Sequence, residues 1–79
     1  ADMLRFNGVM SLDFSGNLAV IKTRPGYASS VAYDIDNHSF DEILGTIAGD
    51  DTISLVLREG CTRANVIDAL SLIIPNIQS

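Results

Sequence analysis

The apolar residues of this 79-residue chain change their spacing in a set order, and that order limits the folds open to it. From Val9 to Phe14 they alternate, which is the period of a half-buried strand. Met10, Leu12 and Phe14 are expected on one face, with Ser11 and Asp13 on the other. Ser15-Gly16-Asn17 supplies turn chemistry, and Leu18 to Thr23 resumes as an apolar, β-branched run, so the two segments read as a hairpin. Arg24-Pro25-Gly26 ends it, because proline has no N–H for a ladder. The period then becomes helical: Ala28, Val31, Ala32 and Ile35 fall at i, i+3, i+4 and i+7. Pro25 or Gly26 is expected to open this helix and Asn37-His38-Ser39 to close it. Ile43 to Ala48 reads as a third strand. In a fourth, Ile53, Leu55 and Leu57 alternate with Ser54, Val56 and Arg58, ending at Glu59-Gly60. Thr62 is placed to cap a last helix, with Val66, Ile67, Leu70, Ile73 and Ile74 buried and Pro75 as its stop.

The predicted order is β-β-α-β-β-α, an α+β fold. Short connections favour antiparallel pairing, and both helical stripes must bury against sheet. A four-stranded antiparallel sheet with the two helices on one face, a pterin-dehydratase-like layout, meets both demands. It leaves the other sheet face without a cover. The composition agrees, since 47% of the residues are hydrophobic and only 19% charged, against a usual charged share of about 25%. A chain this small buries only about 60% of its unfolded surface. The apolar surplus therefore points to self-association. Residues 1–8 carry the least pattern and read as a connecting arm, with 9–79 as one domain.

Ten acidic and five basic side chains give a net charge of −5. That sign argues against a direct grip on DNA or RNA, which needs clustered Lys and Arg. Here Arg5, Lys22, Arg24, Arg58 and Arg63 are scattered. A negative domain suits a small cationic ligand instead. Cys61 is the only cysteine, so neither an intrachain disulfide nor a cysteine zinc site is expected, and a reducing, cytoplasmic setting is. No apolar run approaches the roughly 18 residues that cross a bilayer, so no membrane partner is expected. His38 is the sole histidine, which rules out paired-histidine chemistry and reads as a solvent-facing loop residue. Cys61 lies just ahead of the last helix, where a thiol is activated, but with no base nearby it reads as a packing residue. Ser29 and Ser30 have no catalytic partner. No enzyme activity and no metal site are expected.

The chemistry concentrates in Gly45-Thr46-Ile47-Ala48-Gly49-Asp50-Asp51-Thr52, between the last two strands. Glycines at 45 and 49 let the backbone bend or let another chain come close. Neighbouring carboxylates on a strand face opposite ways, so Asp50 and Asp51 meet one ligand only at a turn, or else serve different sites. Their repulsion calls for a cation or water beside them. Three readings stand open: a solvated turn, recognition of a guanidinium or ammonium group, and, disfavoured because no His or Cys accompanies the pair and the other acids are distant in sequence, an all-oxygen Mg²⁺ or Ca²⁺ site. Asp36, near the end of the first helix, is a further acid for a cationic ligand. There the macrodipole disfavours it by about 0.3–1 kcal/mol if it is exposed.

Val20-Ile21-Lys22-Thr23-Arg24-Pro25-Gly26, the helix ending in Asp36, and Leu44-Gly45-Thr46-Ile47-Ala48-Gly49-Asp50-Asp51-Thr52-Ile53 resemble the C-terminal domain of the bacterial arginine repressor family. The resemblance covers roughly residues 9–74 and is most specific in Gly45–Asp51. It implies a domain that binds L-arginine as effector and corepressor and assembles as trimers stacked into a hexamer, with the ligand at the interface between trimers. It also implies that operator DNA is bound by a separate N-terminal winged helix-turn-helix domain, so this chain is expected to be a fragment of a longer repressor. Asp50 and Asp51 match the ligand acids, in part across the subunit boundary, and Asp36 matches the acid at the ligand's amino end. Thr46 and Ala48 match positions whose backbone lines the pocket, and Ala28 lies in the matching helix N-terminal region. Ser29 departs from a glutamine of the family pattern, and the shorter side chain implies a bridging water or weaker binding. Two other classes fit the layout: a small enzyme like the pterin carbinolamine dehydratases, which depend on histidines, and an interaction module without ligand.

Overall fold

The structure, a computed structural model, describes residues 8–74 and residue 77. The elements are β1 (Val9–Ser15), β2 (Leu18–Thr23), α1 (Ala28–His38), β3 (Ile43–Ala48), β4 (Thr52–Leu57) and α2 (Arg63–Leu70). The α+β order is the predicted one. All neighbouring strands are antiparallel, in the spatial order β1-β2-β4-β3. β4 is therefore central, and β1 and β3 are the edges.

Directly opposed residues share a face, so the register identifies the core. Leu12 lies opposite Ile21, Ala19 opposite Leu55, and Ile21 opposite Ile53. These side chains bury with Ala28, Val31, Ala32 and Ile35 of α1 and with Val66 and Leu70 of α2 in one cluster. Both helices thus cover the same sheet face. The opposite face presents Leu18, Val20, Val56 and Ile47, of which Ile47 is 70% exposed. No helix among the described residues is long and apolar enough to cross a membrane.

Several local expectations are corrected. Met10 is not a core residue: a bulge between Val9 and Ser11 makes it the extra residue, and it is 57% exposed. Val9 pairs instead with buried Thr23 and packs against the core. The alternation survives on either side of the bulge but flips across it. Ser15 still belongs to β1, and Gly16 at φ 59° opens a two-residue turn, the placement of a type II′ hairpin. Pro25 and Gly26 do not open α1. They are the two central residues of a type II turn, with Gly26 at φ 86° and the Tyr27 N–H donating to the Arg24 carbonyl at 3.1 Å. The helix begins only after Tyr27, which makes no side-chain cap. His38 is the last residue of α1 rather than a loop residue, and its ring stacks on Phe40 with centroids 5.0 Å apart.

The Thr62 cap is present as a full capping box: Thr62 Oγ1 accepts from the Asn65 N–H at 3.1 Å, and Asn65 Oδ1 accepts from the Thr62 N–H at 3.2 Å. Thr62→Ala is expected to destabilise the domain by about 1 kcal/mol, seen as a shifted urea midpoint with an unchanged slope. α2 stops at Leu70, one turn short of the predicted stripe. Leu72 and Ile73 donate to carbonyls three residues back, a tightened turn that still buries Ile74. Pro75 and residues 1–7 of the expected arm lie outside the described residues, while the Gly8 carbonyl accepts from Arg24 N at 2.8 Å.

Candidate functional site

The candidate residues lie where α1 meets β3 and the β3–β4 connection. At one end, Thr46 Oγ1 donates to the Asp36 carboxylate, 3.0 Å from Oδ1 and 3.1 Å from Oδ2. Thr46 faces the helices because it opposes buried Leu55, and Asp36 reaches it from the last turn of α1. At the other end, the Asp50 carbonyl accepts from the N–H groups of Gly26 at 3.0 Å and Ala28 at 3.4 Å. The helix start is thereby held to the strand connection.

The two clips imply that α1 and β3 run antiparallel. Ala28 to Asp36 is eight helical steps, roughly 12 Å, and Asp50 back to Thr46 is four extended steps, roughly 13 Å. The equal lengths let both ends close at once. Ala48 lies between the clips on β3, opposite Ile53, and Ser29 is exposed in the first turn of α1. Six of the seven predicted residues are thus on α1, β3 or directly attached to them by a backbone bond.

Asp51 is directed elsewhere. Its carbonyl accepts from Thr23 N at 2.8 Å, extending the ladder beyond the β4 start, and its Oδ1 accepts from Thr52 Oγ1 at 3.0 Å. Thr52 in turn accepts from Lys22 Nζ at 3.0 Å. The consecutive residues are tied to different elements, the Asp50 carbonyl to Gly26 and Ala28 at the start of α1 and the Asp51 carbonyl to Thr23 of β2. Lys22 and Thr52 were not among the residues the sequence singles out. Thr52 sits inside the Gly45–Thr52 run, but Lys22 becomes visible only through the β2–β4 register, which places it opposite Thr52.

Asp36, Asp50 and Asp51 are all exposed in the single chain. Among the described residues, no group of three or more His, Cys, Asp or Glu side chains is placed to hold a metal ion. What these positions offer is the exposed carboxylates of Asp36, Asp50 and Asp51, the Thr46 hydroxyl and the backbone of an edge strand. Carboxylate and carbonyl oxygens accept hydrogen bonds from the N–H groups of a cation.

The class that the structure defines is an antiparallel α+β domain with exposed acids at the end of α1 and in the β3–β4 connection. The comparisons with known proteins give the family. Residues 7–71 match the arginine repressor, C-terminal domain. The chain is 78% identical over 78 residues to the arginine repressor of Phocaeicola vulgatus, covering 99% of this chain and 49% of that protein. It is 73% identical over 77 residues to that of Bacteroides thetaiotaomicron, covering 98% and 49%. With the arginine repressor of Thermotoga petrophila the identity is 48% over 66 residues, covering 84% and 43%. The chain belongs to the arginine repressor family, through its C-terminal domain. That family consists of transcriptional regulators and not enzymes, which sets aside the dehydratase-like alternative. The chain spans about half the length of the curated relatives it matches.

Proposed function

We propose that this domain binds L-arginine between subunits, through Ala28, Ser29, Asp36, Thr46, Ala48, Asp50 and Asp51, as the effector of a cytoplasmic regulator of arginine metabolism. L-arginine is positive at both its amino and its guanidinium end. The observation that carries the reading is the α1–β3 edge, with Asp36 near one end and Asp50 at the other. Asp36 faces the amino end, and Asp50 and Asp51 meet guanidinium groups, in part across a subunit boundary. Thr46 and Ala48 contribute the backbone of an edge strand.

Assembly is the second half of the proposal: trimers that stack into a hexamer around the ligand. Gly45 supports it. Its backbone does not need a positive φ, and an added Cβ would meet nothing within 4 Å in the single chain. Glycine there, opposite Val56 on the uncovered face, leaves room for a second chain to come close. Ligand that binds only the assembled form at ~100 times its dissociation constant adds about 2.7 kcal/mol to it. By linkage the ligand then favours the arrangement in which DNA-binding domains elsewhere in the full-length protein meet the operator.

Calorimetric titration with L-arginine and with citrulline tests the ligand. Citrulline has nearly the same shape but a neutral ureido group, so it is expected to fail where L-arginine binds. Equal affinity for the two would overturn the carboxylate–guanidinium contact. Light scattering with and without L-arginine tests assembly. An unchanged mass and melting temperature would point instead to a ligand-free interaction module.

A further inference from the structure

Two further residues are attached to the Asp51 carboxylate, one directly and the second through the first. Thr52 Oγ1 lies 3.0 Å from Asp51 Oδ1, and Lys22 Nζ lies 3.0 Å from the same hydroxyl. Chemistry sets the direction of this chain. An ammonium only donates, a carboxylate only accepts, and a hydroxyl has one proton and two lone pairs. Thr52 therefore accepts from Lys22 and gives its single proton to Asp51. Both bonds are charge-assisted and shared through one hydroxyl.

The sheet builds this arrangement. Lys22 and Thr52 are direct partners across β2 and β4, where opposed Cβ atoms lie about 4.5–5.5 Å apart. Threonine is β-branched and stiff about χ1, so its hydroxyl holds its aim. The Asp51 carbonyl is bonded to Thr23 N, the residue after Lys22. Consecutive residues of β2 thus hold the backbone and, through Thr52, the carboxylate of one acid. The Asp50 backbone is held from another side, its carbonyl accepting from the N–H groups of Gly26 and Ala28.

We propose that Lys22 and Thr52 are positioning residues, which set the Asp51 carboxylate in advance for the cationic end of the ligand. The inference rests on the L-arginine reading and adds residues outside its contact set. Setting the acceptor beforehand removes rotamer freedom that binding would otherwise have to remove. The sign of the Lys22 effect makes the idea testable. Lys22 has the same charge as the ligand, so a lysine acting by charge alone would weaken binding, and Lys22→Met would tighten it. A positioning lysine gives the opposite result.

The experiment is calorimetry with L-arginine on wild type, Thr52→Val, Thr52→Ser, Lys22→Met and the double variant Lys22→Met/Thr52→Val, with melting temperatures as the fold control. Thr52→Val keeps the β-branched shape and is expected to weaken binding roughly tenfold. Thr52→Ser restores the hydroxyl and the affinity. Lys22→Met weakens binding several-fold, and the double variant binds no worse than Thr52→Val, because both changes break one chain. Wild-type affinity in Thr52→Val, or tighter binding by Lys22→Met, would overturn the inference. A wild type that takes up no L-arginine overturns the ligand reading itself. NMR χ1 couplings of Asp51 then still decide the positioning: one rotamer in wild type with averaging in Thr52→Val supports it, and averaging in both overturns it.

Discussion

Asp51→Asn is expected to abolish the L-arginine response, weakening binding on the order of 100-fold, while the fold stays intact. The two halves of this expectation have separate physical grounds. The change removes a charge and almost nothing else. Asparagine keeps an Oδ1 that accepts from Thr52, and the backbone carbonyl still accepts from Thr23 N. Asp51 is exposed in the single chain, so no packing is lost. A guanidinium buried at a subunit boundary, however, would lose one of its compensating acids, and an uncompensated charge is strongly unfavourable there. Titration calorimetry reads the binding half and circular dichroism the fold half. An unfolded Asp51→Asn protein would make the residue structural, and wild-type affinity would remove it from the site.

Leu55→Ala should produce the largest loss of stability. Leu55 is 0% exposed on the central strand, opposite Ala19 on one side and Thr46 on the other. Small neighbours cannot expand to fill the space. The cavity and the lost burial together cost about 2–5 kcal/mol, and in a domain of this size each kcal/mol moves the melting temperature by about 4–8 °C. A fall of at least ~8 °C follows, measured by thermal denaturation without ligand. A shift of only a degree or two would mean that β4 is not at the centre of the core. Because Thr46 also holds Asp36, the same variant should weaken L-arginine binding by loosening that clip.

The outlines of the fold were legible because hydrophobic period is a local property. Ala28, Val31, Ala32 and Ile35 announce a helix, and Ile53, Leu55 and Leu57 a strand, whatever lies beside them. The errors fall where a single residue changes the phase. Met10 satisfies the alternation perfectly on paper and is exposed because a bulge inserts it. A second shift in register, between Ile43 and Gly45 of β3, leaves Leu44 exposed. Pro25-Gly26 carries signals for a turn and for a helix start, and the positive φ of Gly26 decides for the turn. At the site, adjacency singled out Asp50 and Asp51 and the helix end singled out Asp36, and the resemblance to a family matched all three to ligand acids. It did not reveal Lys22, whose part depends on a partner thirty positions away in sequence.

The sequence by itself determined the element order, the buried stripes, the acidic balance and the placement of two adjacent carboxylates between β3 and β4. Only the tertiary structure decided that β4 lies between β2 and β3, that α1 is clipped to β3 at one end and to the β3–β4 connection at the other, and that Asp51 is held from β2. The reason is that periodicity specifies which face of a strand is buried but not which strand lies next to it. Strand order and register are settled by the packing of all the elements together, where local spacing carries no information.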